Sequence, residues 1–297
     1  LLNTAVQPYN ESIFFCLFAI TVALYLRWYD APSWGRALLV GVVGGVGILT
    51  RESLLAPLVA LAALAPLVVP RARARAAVQG GTMVVAAALV ILPWSLHNSA
   101  QLGTTVPVSA ISGSVLGMGN NACTAAEPLG QPFYGDNPCP ALDSARAAPL
   151  AALSAQGLPY MVAFDRATGA AGAAFITAHP TDYVRLSLRR AWTTFLPKHP
   201  RQPLGVAQTA ILAAYIAVTV IPGVVALALL ARRGVREAWM LGLTFLAMYA
   251  PLVLIFVSHD HRFRVGMDVV AACGAGAAWA WVARRMLGRP VAAAVRG

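Results

Sequence analysis

Charge is what this sequence has least of. Only 11% of its 297 residues are Asp, Glu, Lys or Arg, against about 25% in a typical soluble domain. The few charges stand in clumps between long uncharged runs, which excludes a solvated globular surface. Lysine is nearly absent, one against 21 arginines. No Gly-rich phosphate loop, His-Glu-x-x-His, Gly-x-Ser-x-Gly or paired-carboxylate motif occurs, so no obvious general base is supplied. The net charge of +11 would suggest nucleic acid in a soluble protein. Here no basic stripe is interleaved with aromatics, and nucleic acid is not an expected partner. No basic segment or small-residue cleavage site precedes the first apolar run, so that run is not read as a signal peptide. The chain opens on Leu1 rather than Met, and an N-terminally truncated sequence is expected.

What is abundant is apolar: 59% of residues are hydrophobic and the mean hydropathy is +0.68. A helix needs about 20 apolar residues to cross a ~30 Å hydrocarbon core. Seven segments come close: 12–28, 37–50, 53–69, 78–96, 206–231, 238–257 and 265–283. The expected fold class is therefore an all-α polytopic membrane protein with about seven transmembrane helices. Residues 1–96 would hold four spans, 97–205 a long outer loop region, and 206–297 three spans and a tail. The second segment carries Gly41, Gly44, Gly45 and Gly47, small residues that let helices approach closely. Cys16 and Cys273 fall inside apolar runs and read as buried thiols.

Arginine placement predicts orientation. Arg27 and Arg36 share one short loop, and Arg71, Arg73 and Arg75 another. Arg232, Arg233 and Arg236 form a third cluster, and Arg284, Arg285, Arg289 and Arg296 lie in the tail. These alternate loops satisfy the positive-inside rule for the cytoplasmic face. A multi-pass protein of a bacterial inner or plasma membrane is expected, with the bilayer as its first partner.

The outer region holds Cys123 and Cys139 around a segment rich in Gly, Pro and Asp. An oxidising outer compartment predicts a disulfide between them. The stretch 147–164 is broken by Gly157-Leu158-Pro159. Farther on, Val184, Leu188, Ala191 and Phe195 recur at helical spacing after His179-Pro180, with Arg185 and Arg189 beside them. That pattern predicts an amphipathic helix on the membrane surface, with Trp192 as an interface anchor.

Ionisable groups at the outer helix ends are few. Glu11 opens the first span, Arg51 and Glu52 fill a tight turn, and His97 follows Pro93-Trp94. His259, Asp260, His261, Arg262 and Arg264 crowd the turn before the last run. A bundle could bring them to one outward-facing cavity. Guanidiniums at Arg51, Arg262 and Arg264 would suit a lipid phosphate, because Arg presents a planar fork of donors. The plainer readings are snorkelling side chains and helix caps, and for Arg51 and Glu52 a local ion pair. His259 and His261 leave a divalent metal open, but their spacing is a weak metal signal.

These stretches, in order, carry a resemblance. They are Pro-Tyr-Asn-Glu-Ser at 8–12, Gly-Ile-Leu-Thr-Arg-Glu-Ser at 47–53, and Leu-Pro-Trp-Ser-Leu-His-Asn at 92–98. Gly-Thr-Thr-Val-Pro-Val-Ser follows at 103–109, then Gly-Asn-Asn at 119–121 and His-Asp-His-Arg-Phe-Arg at 259–264. The chain resembles the C-terminal two-thirds of GT-C-type membrane glycosyltransferases, nearest the family-39-like group of protein mannosyltransferases and lipid A aminoarabinose transferases. It departs from the family pattern at His97, where relatives carry Arg. The resemblance implies a polyprenyl-phosphate-linked sugar as donor substrate and a protein, lipid or glycan acceptor. It implies donor-phosphate contacts at Arg51, Arg262 and Arg264, with Asn120 and Asn121 near the cavity mouth. The family's catalytic carboxylate lies in an outer loop that would precede Leu1. Rival readings are a transporter or lipid flippase, an O-antigen ligase-like enzyme, and a non-catalytic scaffold. Against the transporter, the span centres carry no ionisable residue and the sequence shows no internal repeat.

Overall fold

A computed structural model describes residues 11–109, 111–127, 139–194, 205–255 and 265–286. Among the described residues the regular structure is entirely helical, with no strand. In chain order the helices are α1 (Glu11–Asp30), α2 (Trp34–Thr50), α3 (Leu55–Val68) and α4 (Arg73–Leu102). The outer region follows as α5 (Ser112–Gly119), α6 (Ala122–Ala126), α7 (Pro140–Ala155), α8 (Tyr160–Ala178) and α9 (Pro180–Thr193). The chain then runs through α10 (Val206–Arg232), α11 (Arg236–Leu254) and α12 (Val265–Met286).

Among the described residues the expected seven spans are not found. Four helices among the described residues are long and apolar enough to cross a membrane: Ser12–Asp30, Pro70–Leu102, Val206–Arg232 and Arg236–Leu254. The architecture is thus all-helical and multi-span. The shortfall has local causes. Helix α2 is 17 residues long, or about 25 Å at ~1.5 Å per residue, because the turn at Arg51 stops it. Helix α3 is bounded by that turn and by Pro70. Helix α12 carries Asp268 in its first turn and is not among the four. Its course also differs from the expected topology, which has α10 and α12 both entering from the outer side. Going up α12 from Ala271 to Trp279, the partners on α10 fall from Gly223 to Val218, so the two run antiparallel.

Helices α2 and α3 form a hairpin against the middle of α4, and the glycines explain how. A Cβ on Gly41 would overlap the Met83 carbonyl oxygen, and one on Gly45 would come within 2.9 Å of the Ala87 carbonyl oxygen. On the other side of the same helix, Gly44 and Gly47 receive the side chains of Leu58 and Leu54. All four glycines therefore mark close contacts, as small residues between membrane helices do. Phe14, Phe18, Tyr25 and Trp28 of α1 close the core with Leu58, Leu61, Met83, Met240 and Met248.

Side-chain bonds join the arginine-rich ends of the helices. Trp28 Nε1 donates to Gln79 Oε1 at 3.0 Å, Arg36 to the carbonyls of Arg27 and Ala31, and Arg236 to the carbonyl of Val68. These bonds gather the α1–α2 turn, the α3–α4 turn and the start of α11 at one arginine-rich end. Cys16 and Cys273 are exposed rather than buried; they sit on outward-turned helix faces, where an apolar environment would be lipid.

Helix α10 contains one π-helical turn, Ile216–Val220. Such a turn breaks the regular ladder, and the carbonyl of Val218 accepts from Trp279 Nε1 at 2.8 Å. Before the π turn α10 buries no residue; after it, Gly223 and Leu227 are buried against α12.

Candidate functional site

The end opposite the α1–α2 and α3–α4 turns is built from the Arg51–Leu54 turn, the last turns of α4 and α11, and the outer helices. The segment after α4 folds back on it. Trp94 Nε1 donates to the Val108 carbonyl at 3.2 Å, Ser95 Oγ to the Val106 carbonyl at 3.2 Å, and the Val106 amide to Ser99 Oγ at 3.0 Å. This delivers Ser109 and Ser112 to Glu52, whose carboxylate accepts from Ser109 Oγ at 2.8 Å and Ser112 Oγ at 3.2 Å. Asp165 of α8 binds the same region, accepting the Ser114 amide at 2.7 Å in the first turn of α5. A carboxylate at a helix N-terminus is well placed against the dipole.

Helices α5 and α8 cross backbone to backbone. Gly113 and Gly117 face Gly169, Thr168 and Gly172 with no room for a Cβ on any of the glycines. Gly157, at φ 78°, ends α7 in the left-handed region, so the break falls at the Gly157-Leu158-Pro159 stretch. Helix α9 is amphipathic, and its apolar stripe faces away from the protein. Val184, Leu188 and Trp192 are exposed, the last two at 67% and 73%. Its other face buries Leu186, Ser187, Arg190 and Thr193. An outward apolar face suits a helix lying against lipid.

Arg190 is the hub of this end and was not singled out in the sequence. Its side chain is 0% exposed. One terminal nitrogen donates to Asn120 Oδ1 at 3.0 Å and to the Val253 carbonyl at 3.4 Å; the other donates to the Gly119 carbonyl. These acceptors lie at the C-terminal ends of α5 and α11. Carbonyls left over at helix C-termini carry partial negative charge, so two helix ends supply the counter-charge. Burial pulls the Arg190 pKa down to about 10, which leaves the group cationic at neutral pH. Tyr183 donates to the Leu254 carbonyl and Tyr249 to the Ala191 carbonyl, fastening α9 to α11 beside it.

The sequence-predicted residues divide accordingly. Arg51 caps α2, its amide donating to the Gly47 carbonyl at 2.9 Å, and its guanidinium lies 5.9 Å from the Phe14 ring centroid. Glu52 is held by serines. Asn120 was expected near a cavity mouth, and the structure shows its surroundings. It is fully buried, its Nδ2 donating to the Leu116 and Ile255 carbonyls and its Oδ1 taken by Arg190. Asn121 caps α6, accepting the Thr124 amide at 2.9 Å. It also borders a cavity of about 290 Å³ between α7 and α8 that Phe175 and His179 help to line. His97 points outward from α4, which continues five residues past it, so it does not join this cluster. The side chain of Glu11 and the whole of His259, Asp260, His261, Arg262 and Arg264 lie outside the described residues. Among the described residues no group of three His, Cys, Asp or Glu side chains could hold a metal ion.

Cys123 and Cys139 form a disulfide with Cα atoms 6.0 Å apart. It ties α6 to the start of α7 across a 16-residue separation. A loop of that size is worth about 3 kcal/mol in the chain-entropy account. Cys139→Ser with Cys123→Ser should therefore lower the outer region's unfolding midpoint by several degrees, read by thermal melts in detergent. Unchanged melts with and without reductant would refute this.

No protein-family model, curated protein or solved structure matches the chain.

Proposed function

We propose that this protein binds a polyprenyl-phosphate-linked sugar at its outer end and serves glycosyl transfer of the GT-C type. The reading rests on the resemblance, and one observation carries it: separated stretches that resemble the family come together. Residues 92–98 bond to 103–109 through Trp94 and Ser95, and 103–109 bonds to 47–53 through Ser109 and Glu52. The stretch 119–121 reaches the end of α11 through Asn120 and Ile255. A lipid-linked donor needs apolar flanks for its tail and cations at headgroup depth. The exposed stripe of α9 suits the first need and Arg51 the second, with Arg262 and Arg264 as the further donor-phosphate contacts the resemblance implies.

In the transfer an acceptor hydroxyl attacks the anomeric carbon, the carbon–oxygen bond to phosphate breaks, and polyprenyl phosphate departs. The hydroxyl proton passes to a base that these residues do not identify; Glu52, engaged by two serines, is not assigned that role. Cations near the leaving phosphate would stabilise its developing charge.

The direct test is binding of a polyprenyl-phosphate hexose to the protein in nanodiscs. Arg262→Ala and Arg51→Ala should each weaken it about tenfold, the scale of one charge-assisted hydrogen bond. Wild-type affinity in both variants would sink the reading.

A further inference from the structure

A second polar site lies at the opposite, basic end and does not depend on the glycosyl-transfer reading. A cavity of about 240 Å³ opens between the α1–α2 turn and the start of α4. It is lined by Pro32, Val69, Ala72, Arg75, Ala76 and Gln79. Gln79 is 0% exposed. Its Oε1 accepts from Trp28 Nε1, and since indole N–H only donates, the amide orientation is fixed. Its Nε2 is buried without a hydrogen-bond partner. Leaving a buried donor unsatisfied costs about 1–3 kcal/mol, and Gln79 lines this cavity. The start of α4 adds to the demand, for Ala72 stands at its N-cap and offers no side-chain acceptor. Arg75 supplies a full positive charge, and Arg71 and Arg73 lie beside it in sequence. Anions favour such a helix start.

We propose that this cavity binds the phosphate of an anionic phospholipid from the leaflet on the basic side. Gln79 Nε2 and Arg75 would hold phosphate oxygens. Exposed apolar side chains adjoin the lining residues, Leu67 before Val69 and Val78 before Gln79, at 68% and 58% exposure; acyl chains would lie along them. These flanks favour a lipid over a free anion. The surrounding guanidiniums favour an anionic headgroup over a zwitterionic one whose choline would face them.

The test is native mass spectrometry of the protein released from nanodiscs of mixed phosphatidylglycerol and phosphatidylcholine. Wild type should retain phosphatidylglycerol selectively. Gln79→Glu keeps an acceptor for Trp28 but removes the amide donor, and Arg75→Gln removes the cation; each should cut retention about tenfold. Arg73→Gln loses the same charge outside the cavity lining and should bind nearly as wild type. Equal losses in Arg73→Gln and Arg75→Gln would reduce the effect to general surface charge and overturn the proposal. Equal retention of phosphatidylcholine would also overturn it, as would displacement of the lipid by millimolar inorganic phosphate. Should Gln79→Glu fail to fold, the arginine pair still decides.

Discussion

Arg190→Met should loosen the whole outer end while leaving the helices around Gly41 folded. The substitution roughly keeps the length of the side chain but strips three bonds, to Gly119, Asn120 and Val253. It leaves two helix C-termini without their cation. Orphaned acceptors at about 1–3 kcal/mol each, part-relieved by rearrangement, suggest a loss near 3 kcal/mol. Hydrogen exchange reads this locally: amides at the end of α5 and in the last turn of α11 should exchange about a hundredfold faster. Arg190→Lys should fall between, because an ammonium keeps the charge but not the planar fork. Wild-type protection at both helix ends in Arg190→Met would show that the guanidinium is not what holds them.

Gly41→Leu should have an effect of similar size within the helix bundle. Any Cβ at position 41 meets the Met83 carbonyl oxygen and the Ala86 side chain, and neither is the far end of a flexible chain. Helices α2 and α4 must separate, opening contacts at Gly45 and disturbing Leu54 and Leu58 on the far side of α2. Overpacking of this kind costs about 1–3 kcal/mol, occasionally more. A useful control is Gly35→Leu, since nothing lies within 4 Å of a Cβ there. Unfolding in detergent should distinguish the two; identical midpoints would refute the close approach of α2 and α4.

These two residues also mark what could and could not be read from the sequence. The Gly41–Gly47 cluster announced tight packing because four small residues in seven positions have few other uses in an apolar helix. The two cysteines of the outer region pointed to each other through compartment and spacing. Arg190 gave no such signal. It stands in a run with Arg185 and Arg189, and periodicity took the apolar stripe of α9 to be the informative face. Against lipid that face turns outward, so the polar side is what the protein buries. The span count failed for a related reason. Apolar runs of similar composition were counted alike, yet Arg51 and Pro70 cut α2 and α3 short, and Asp268 sits at the start of α12. Asn120 looked like a cavity residue because buried and ligand-facing amides read the same in sequence.

The π turn in α10 also sets a rotational phase. One inserted residue swings everything on one side of it by about 100° relative to a regular helix. Deleting a single residue between Ile216 and Val220 would restore the regular ladder and turn residues 206–215 to a new azimuth. None of those residues is fully buried, although the Tyr215 hydroxyl is, so the twist would chiefly displace Tyr215 and misalign the Val218 carbonyl with Trp279. The two halves of α10 thus answer to different masters: the half after the π turn is indexed to α12, and the half before it is aimed by a single added residue.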